Sequence, residues 1–428
     1  MPKLIYVILD GLGDDPIEAF DGRTPLEAAS TPLLDGLAAR GANGSVVTVG
    51  EGVAPESDIA VFAILGYDPF AHHTGRGPIE ALGAGLDFAR GDLAYRVNFA
   101  TVTRSADGWD IVDRRVGRNL TSDEAHALAA EVEEEVEVDA ARFEFRATVG
   151  HRGVVVFHST EEPFSGLVEN SDPAYGREGL MGVAKETFDD QVVEVTPVAG
   201  SEQDPAAQRA AAVTNEWLAA THETLEGSEV NRRRRERDQL PANFVLSRDG
   251  GDHLPELTPF HEKFGLNMGC FVALPVEIGI ARLTGMNEID APTEGTEKDQ
   301  YTSWAELAAE STSDHDALYI HLKGPDVPAH DGDHDAKRQS IEDIDRLFFG
   351  PLLSALDLGS NVVAVTADHS TSCPRKAHTD GPVPLLVAGA GIDADAVSNY
   401  GETASRAGSL GRMTGPDIMP MLVRTLGR

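Results

Sequence analysis

Leu4-Ile5-Tyr6-Val7-Ile8-Leu9-Asp10-Gly11-Leu12-Gly13 is the stretch on which the reading of this chain turns. Six apolar residues in succession, without polar alternation, predict a strand buried on both faces. The run stops at a carboxylate followed by glycines, which marks a loop at the strand's carboxyl end. The same pattern returns late in the chain. Residues 317–322 lead into Lys323-Gly324-Pro325-Asp326. Residues 361–366 lead into Ala367-Asp368-His369, and residues 384–387 close at Gly389. Helical spacing lies between these runs, over residues 31–39, 58–65 and 335–356; the last places Ile341, Ile344, Leu347 and Phe348 on one face. Such alternation predicts a doubly wound, mostly parallel α/β sheet, whose ligands bind beyond the carboxyl ends of the strands.

The middle of the chain has another character. Strand-like pieces over residues 93–102, 153–158 and 191–195 mix with an acidic helix over 122–136 and a longer helix over 206–225. We read residues 71–239 as an inserted α+β domain, and residues 1–70 with 240–428 as the sheet domain. A length of 428 residues suits two cores. Residues 243–247 form a short strand near the second boundary.

Composition narrows the function. The chain carries 71 acidic against 35 basic residues, a net charge of −36, and only seven of the basic residues are lysine. An evenly acidic, lysine-poor surface suits a salt-rich cytoplasm, where screening suppresses self-repulsion. It disfavours nucleic acid and anionic membranes as partners. The basic run Arg232 to Arg235 reads as a solvated helix face. Two cysteines, Cys270 and Cys373, give no disulfide framework. No apolar stretch approaches the roughly 18 residues needed to span a bilayer, and the opening apolar run is too short for a signal peptide. The expected location is the cytoplasm; oligomeric state is left open.

The strand ends gather the chemistry. Asp10, Asp326, Asp368, His330, His369 and His378 supply three carboxylates and three imidazoles, and Ser57 supplies a hydroxyl at the start of a helix. Asp326-Val-Pro-Ala-His330 contains a proline and reads as a loop folding both side chains onto one ion. Asp368 and His369 are adjacent in extended backbone, so they can face two neighbouring ions. Two divalent ions and a serine are the parts of a phosphoryl-transfer site. Oxygen ligands mixed with imidazole suit manganese, with zinc and magnesium as alternatives. A serine opening a helix is more often a cap than a nucleophile. His72-His73 and the run 332–335 are rival metal candidates. Arg114, Arg115 and Arg118, with His151-Arg152, can clamp phosphate or carboxylate, or simply pair with the many acids.

Short segments in order along the chain carry a family resemblance. They are Leu9-Asp-Gly-Leu-Gly-Asp14, Arg23-Thr-Pro-Leu-Glu-Ala-Ala29, Ser57-Asp58, Ala63-Ile-Leu-Gly-Tyr-Asp-Pro69, Thr74-Gly-Arg-Gly-Pro78, Asn98-Phe-Ala-Thr101 and Asp113-Arg-Arg-Val-Gly-Arg118. Pro241-Ala-Asn243, His321-Leu-Lys323, His330-Asp-Gly332, Asp368-His-Ser370 and Pro382-Val-Pro-Leu385 follow. The chain resembles the archaeal type of 2,3-bisphosphoglycerate-independent phosphoglycerate mutase, within the alkaline phosphatase superfamily. It departs from that pattern at Glu56, Ile59, Ala329 and Ala367.

The resemblance implies an alkaline-phosphatase-like fold and interconversion of 2- and 3-phosphoglycerate in glycolysis and gluconeogenesis, without bisphosphoglycerate. It implies that Ser57 carries the phosphate in transit. One ion would be held by Asp326, His330 and His378, the other by Asp10, Ser57, Asp368 and His369. Asn98, Arg115, Arg118, Arg152 and Lys323 would bind substrate, and the middle domain would close over the glycerate. The alternatives are a metal-dependent phosphatase or phosphotransferase on another small phosphoester, and a non-catalytic binding protein.

Overall fold

In a computed structural model the described residues are 2–427, apart from 107, 140, 161, 179, 186 and 294. The chain divides into two compact units. The first comprises Met1–His72, Leu257–Ala273 and Ala281–Arg428; the second comprises His73–Glu256 and Leu274–Ile280.

The first unit is built on an eight-stranded sheet. Lys3–Leu9 lies between Ala317–Leu322 and Asn361–Thr366, parallel to both. Residues 4–9 are fully buried, as an unbroken apolar run requires of a central strand. Leu9 stands opposite Leu322, and Ile8 opposite Thr366. The three strands therefore end at one level, and their loops emerge side by side. Met268–Phe271 continues the parallel sheet beyond Ala317–Leu322. Val383–Gly389 runs antiparallel to Asn361–Thr366 and to Gly41–Val47.

The second unit is an antiparallel sheet of five strands. Leu93–Arg104 is central to it, paired with Trp109–Asp113, Arg152–Ser159 and Phe244–Gly251. One face is apolar. Leu93, Tyr95, Val97, Phe99, Val155 and Phe157 share a core with Trp217 of the helix Pro205–Gly227. The other face begins with Ala94, Val154 and Val156, packed with Ala81 of the helix Arg76–Gly83. Period-two alternation then puts Arg96 and Asn98 on that second face as well.

Six expectations need correction. The second boundary falls near residue 256 rather than 240. Phe244–Gly251 pairs with Leu93–Arg104, so the strand expected near the boundary belongs to the inserted unit. Residues 191–195 form no strand; Gln191 makes an isolated bridge to Asp110. The helix expected over 335–356 is interrupted. His334–Ile344 passes into a π-helical turn, Asp345–Phe349, before Gly350–Ala355. Pro351 cannot donate a helical hydrogen bond, and a wider turn just before it accommodates the loss. Finally, Asp326–Asp331 is a short helix, not a loop. Pro328 occupies its first turn, where the N–H groups have no intrahelical acceptor and none is missed. The Arg232–Arg235 run is also only partly solvated. Arg234 is fully buried and bound to Glu124 and Asn119.

Candidate functional site

Asp10 leaves its strand with its backbone N–H bonded to Leu322 O (3.0 Å), which ties it to the neighbouring strand end. The Asp326–Asp331 helix puts Asp326 and His330 four residues apart, on one face. A short hairpin, Ser370–Ser372 with Ala377–Thr379, folds His378 back against His369; their rings stack with centroids 3.8 Å apart.

Two groups of ligand atoms result. In the first, His330 Nε2 and His378 Nε2 are 3.2 Å apart, and Asp326 Oδ1 lies 3.5 Å from one and 3.6 Å from the other. Backbone carbonyls fix both rings. His330 Nδ1 donates to Lys376 O (3.1 Å) and His378 Nδ1 donates to Pro55 O (2.7 Å), so both Nε2 atoms face Asp326. In the second, His369 Nε2 is the meeting point. Ser57 Oγ is 3.2 Å from it, Asp368 Oδ2 3.3 Å and Asp10 Oδ1 3.5 Å. Asp10, Asp326 and His369 also form a triad of their own, so the two groups adjoin.

The donor set fits two divalent cations. Asp10 Oδ1 and Asp368 Oδ2 are buried without a hydrogen-bond partner, and both face His369 Nε2. Buried carboxylate oxygens are rarely left so. Burial, reinforced by Asp10, pushes the Asp368 carboxyl up to about 7. Burial pushes His378 down, yet its hydrogen bond to Asp326 and the charge of Glu56 outweigh that and raise it to about 10. Burial lowers His369 to about 3, which keeps its ring neutral and its lone pair available. The field at Asp326 favours positive charge, and His369 is held as a neutral donor.

Ser57 is the first residue of the helix Ser57–Ile64, not its cap. Glu56 takes the cap position and makes no side-chain capping bond. The reading of Ser57 as a cap therefore fails. Ser57 is half-buried, and the six residues Ile59 to Ile64 are buried, so the hydroxyl is accessible on a firmly seated helix. The N–H groups of that first turn suit a phosphoryl group.

Every residue expected to hold an ion lies in these two groups. Of the rivals, His72 packs edge-on to Tyr67 and Asp333 caps the helix His334–Ile344. Neither His72-His73 nor the run 332–335 enters a metal-ligating cluster among the described residues. The sequence reading missed His321, fully buried beside Asp368 (3.7 Å), and Thr371. Lys323 Nζ lies 2.5 Å from Asp10 Oδ2 and 3.5 Å from His321 Nε2. The triad Asp10–His321–Asp368 is therefore already supplied with an ammonium. An apolar strand ending in His-Leu-Lys was the available signal for His321.

The second unit holds an arginine array. Arg152 stands opposite Asn98 across one strand pair, and Arg248 opposite Arg96 across another. Glu80 receives Arg76 Nε (2.6 Å) and lies 3.5 Å from Arg96 Nε. Burial lowers Arg115, as do Arg118, Arg248 and Arg114. Burial and the charges of Arg152, Arg115, Arg248 and Arg96 hold His151 at about 3. The Asn98 carboxamide oxygen is buried without a hydrogen-bond partner. Asn98, Arg115, Arg118 and Arg152 thus fall in one electropositive region, which Arg96, Arg248 and His151 enlarge. Arg114 instead makes a paired bond to Asp172 (2.8 and 2.6 Å). Arg96 and Arg248 were missed because only strand register brings them there.

Residues 38–231 match the model of the family described as 2,3-bisphosphoglycerate-independent phosphoglycerate mutase. A curated protein of that name from Aeropyrum pernix is 42% identical, over 96% of this chain and 96% of its own. Another from Methanopyrus kandleri is 37% identical over 98% of this chain and 95% of its own. Among solved structures, one from Pyrococcus horikoshii aligns with a TM-score of 0.79 at 30% identity, covering 100% of this chain and 97% of that one. The cofactor-independent phosphoglycerate mutase of Thermoplasma acidophilum aligns at 0.63 and 33% identity, with 99% of each chain covered.

Proposed function

The chain belongs to the 2,3-bisphosphoglycerate-independent phosphoglycerate mutase family, an isomerase that interconverts 2- and 3-phosphoglycerate, and we propose that it acts through Ser57 at the two ligand groups described above. The convergence of Ser57 Oγ, Asp10 and Asp368 on His369 Nε2 carries this reading. Asp326, His330 and His378 would hold one divalent ion; Asp10, Ser57, Asp368 and His369 would hold the other. Bound there, such ions offset charge on phosphoryl oxygens and favour the ionised serine hydroxyl. Manganese suits this mixture of carboxylate and imidazole.

Ser57 Oγ attacks phosphorus in line, and the bond to the glycerate oxygen breaks as phosphoserine forms. The glycerate oxygen takes up a proton. The other glycerate hydroxyl then loses its proton and attacks the same phosphorus, freeing Ser57. The Ser57 helix offers N–H groups to the phosphoryl oxygens. Lys323 supplies positive charge beside Asp10. Asn98, Arg115, Arg118 and Arg152 recognise the phosphate and carboxylate of the substrate. The acidic surface suits work in a salt-rich cytoplasm.

The test is to incubate the protein with 3-phosphoglycerate and manganese in high salt, without bisphosphoglycerate, and follow phosphorus resonances. The 2-isomer should appear. Release of inorganic phosphate without the 2-isomer would make the protein a phosphatase instead.

A further inference from the structure

Thr371 is fully buried, and every polar atom it has is engaged. Its N–H donates to Gly13 O (2.9 Å), and its carbonyl accepts from Lys337 Nζ (2.8 Å). Lys337, itself fully buried, also binds Asp14 (2.9 Å) and Gly13 O (2.8 Å). The side chain is thus aimed from a backbone that is anchored on both sides. Its hydroxyl lies 2.8 Å from Asp326 Oδ1 and 3.0 Å from His369 Nδ1.

A hydroxyl has one hydrogen, and the Asp326 carboxylate can only accept. The hydrogen of Thr371 therefore goes to Asp326, and His369 Nδ1 must donate to Thr371 Oγ1. That choice leaves His369 Nε2 with its lone pair toward Ser57, Asp10 and Asp368. Asp326 belongs to one ligand group and His369 to the other. Gly11 independently marks the spot. A Cβ there would come within 2.7 Å of Thr371 Oγ1 and 2.8 Å of Asp326 Oδ1, at a backbone φ of +63°.

We propose that Thr371 is a positioning residue that couples the two ion pockets, one hydroxyl fixing the carboxylate of the first and the imidazole of the second. The proposal rests on the two-ion reading above. Outer partners of this kind typically change ion affinity by about 10- to 100-fold.

The test compares the wild type with Thr371→Val, which keeps the shape, and Thr371→Ser, which keeps the hydroxyl. Manganese(II) is titrated calorimetrically into each ion-free protein. Thr371→Val should lose about 10- to 100-fold in affinity at both pockets, and Thr371→Ser should stay within about threefold of the wild type. Unchanged affinities in Thr371→Val, weakening at one pocket alone, or equal losses in both variants would overturn the coupling. A wild type that takes up fewer than two ions would instead sink the two-ion reading. Nitrogen-15 NMR of the ion-free wild type gives an answer even if Thr371→Val fails to fold. His369 should carry its hydrogen on Nδ1; a hydrogen on Nε2 contradicts the proposal.

Discussion

The ligand groups of the first unit and the arginine array of the second are assembled in opposite ways. In the first unit most functional side chains sit just past a strand end or on a short helix, and His378 is carried on a short hairpin. Asp10, Asp326 and Asp368 follow three neighbouring parallel strands, and the parallel register brings their loops together without further instruction. In the second unit Arg96, Asn98, Arg152 and Arg248 stand within strands, and only antiparallel register makes them neighbours. The first arrangement suits small, closely coordinated ions. The second gathers several guanidinium groups, Arg96 and Arg248 among them buried, into one region of positive charge suited to an anion.

That contrast implies that chemistry and recognition can be damaged separately. The largest effect should follow Ser57→Ala. Turnover should fall by on the order of 10⁴-fold or more, while the thermal unfolding curve stays that of the wild type. Substantial mutase activity in this variant would remove Ser57 from its role. Asp326→Asn should come next. It should cost more than about 100-fold in affinity for one ion, since it removes a ligand rather than a partner of one, and atomic absorption should find one equivalent bound in place of two. Arg152→Ala should be milder and of another kind. The KM for 3-phosphoglycerate should rise about 10- to 100-fold, the loss of one charged hydrogen bond or two, with two ions still bound. A fall in ion content instead would erase the distinction between the regions.

The smallest effect concerns stability in the first unit alone. Burial pushes the Glu402 carboxyl up to about 7, although Thr24 Oγ1 donates to it (2.7 Å). An acid whose folded pKa is raised contributes stability at low pH, fully present below its unfolded value of 4.5 and lost as pH rises through about 7. The loss is about 3 kcal/mol at most. Glu402→Gln should flatten the decline in thermal stability between those values, as read by calorimetry across pH. An unchanged pH profile in the variant would contradict the assignment.

The same contrast explains how far the sequence could be read. An unbroken apolar run ending in Asp-Gly or Asp-His announces both a buried parallel strand and the residue at its end, so the places of Asp10 and Asp368 were legible in the sequence. Thr371 was not, because a threonine two residues past a ligand carries no signal of its own; its part depends on Lys337 and Gly13 holding its backbone. Arg248 was hidden for the complementary reason. Its strand was placed outside the inserted unit, and no periodicity in one strand reveals which strand pairs with it. The helix at Asp326 shows a local rule applied too strictly. Proline forbids a helix interior but not a first turn, and the i,i+4 spacing of Asp326 and His330 was the better guide.

In the proposed reaction the phosphate rests on Ser57 between leaving one hydroxyl of the glycerate and joining the other. The decisive measurement is to mix the manganese-loaded protein with 3-phosphoglycerate labelled in its phosphoryl group, quench in acid within one turnover, and map the label by peptide mass. The label should lie on the peptide containing Ser57 and be absent from Ser57→Ala. Label found on a histidine, or on no residue while the 2-isomer still forms, would contradict the account.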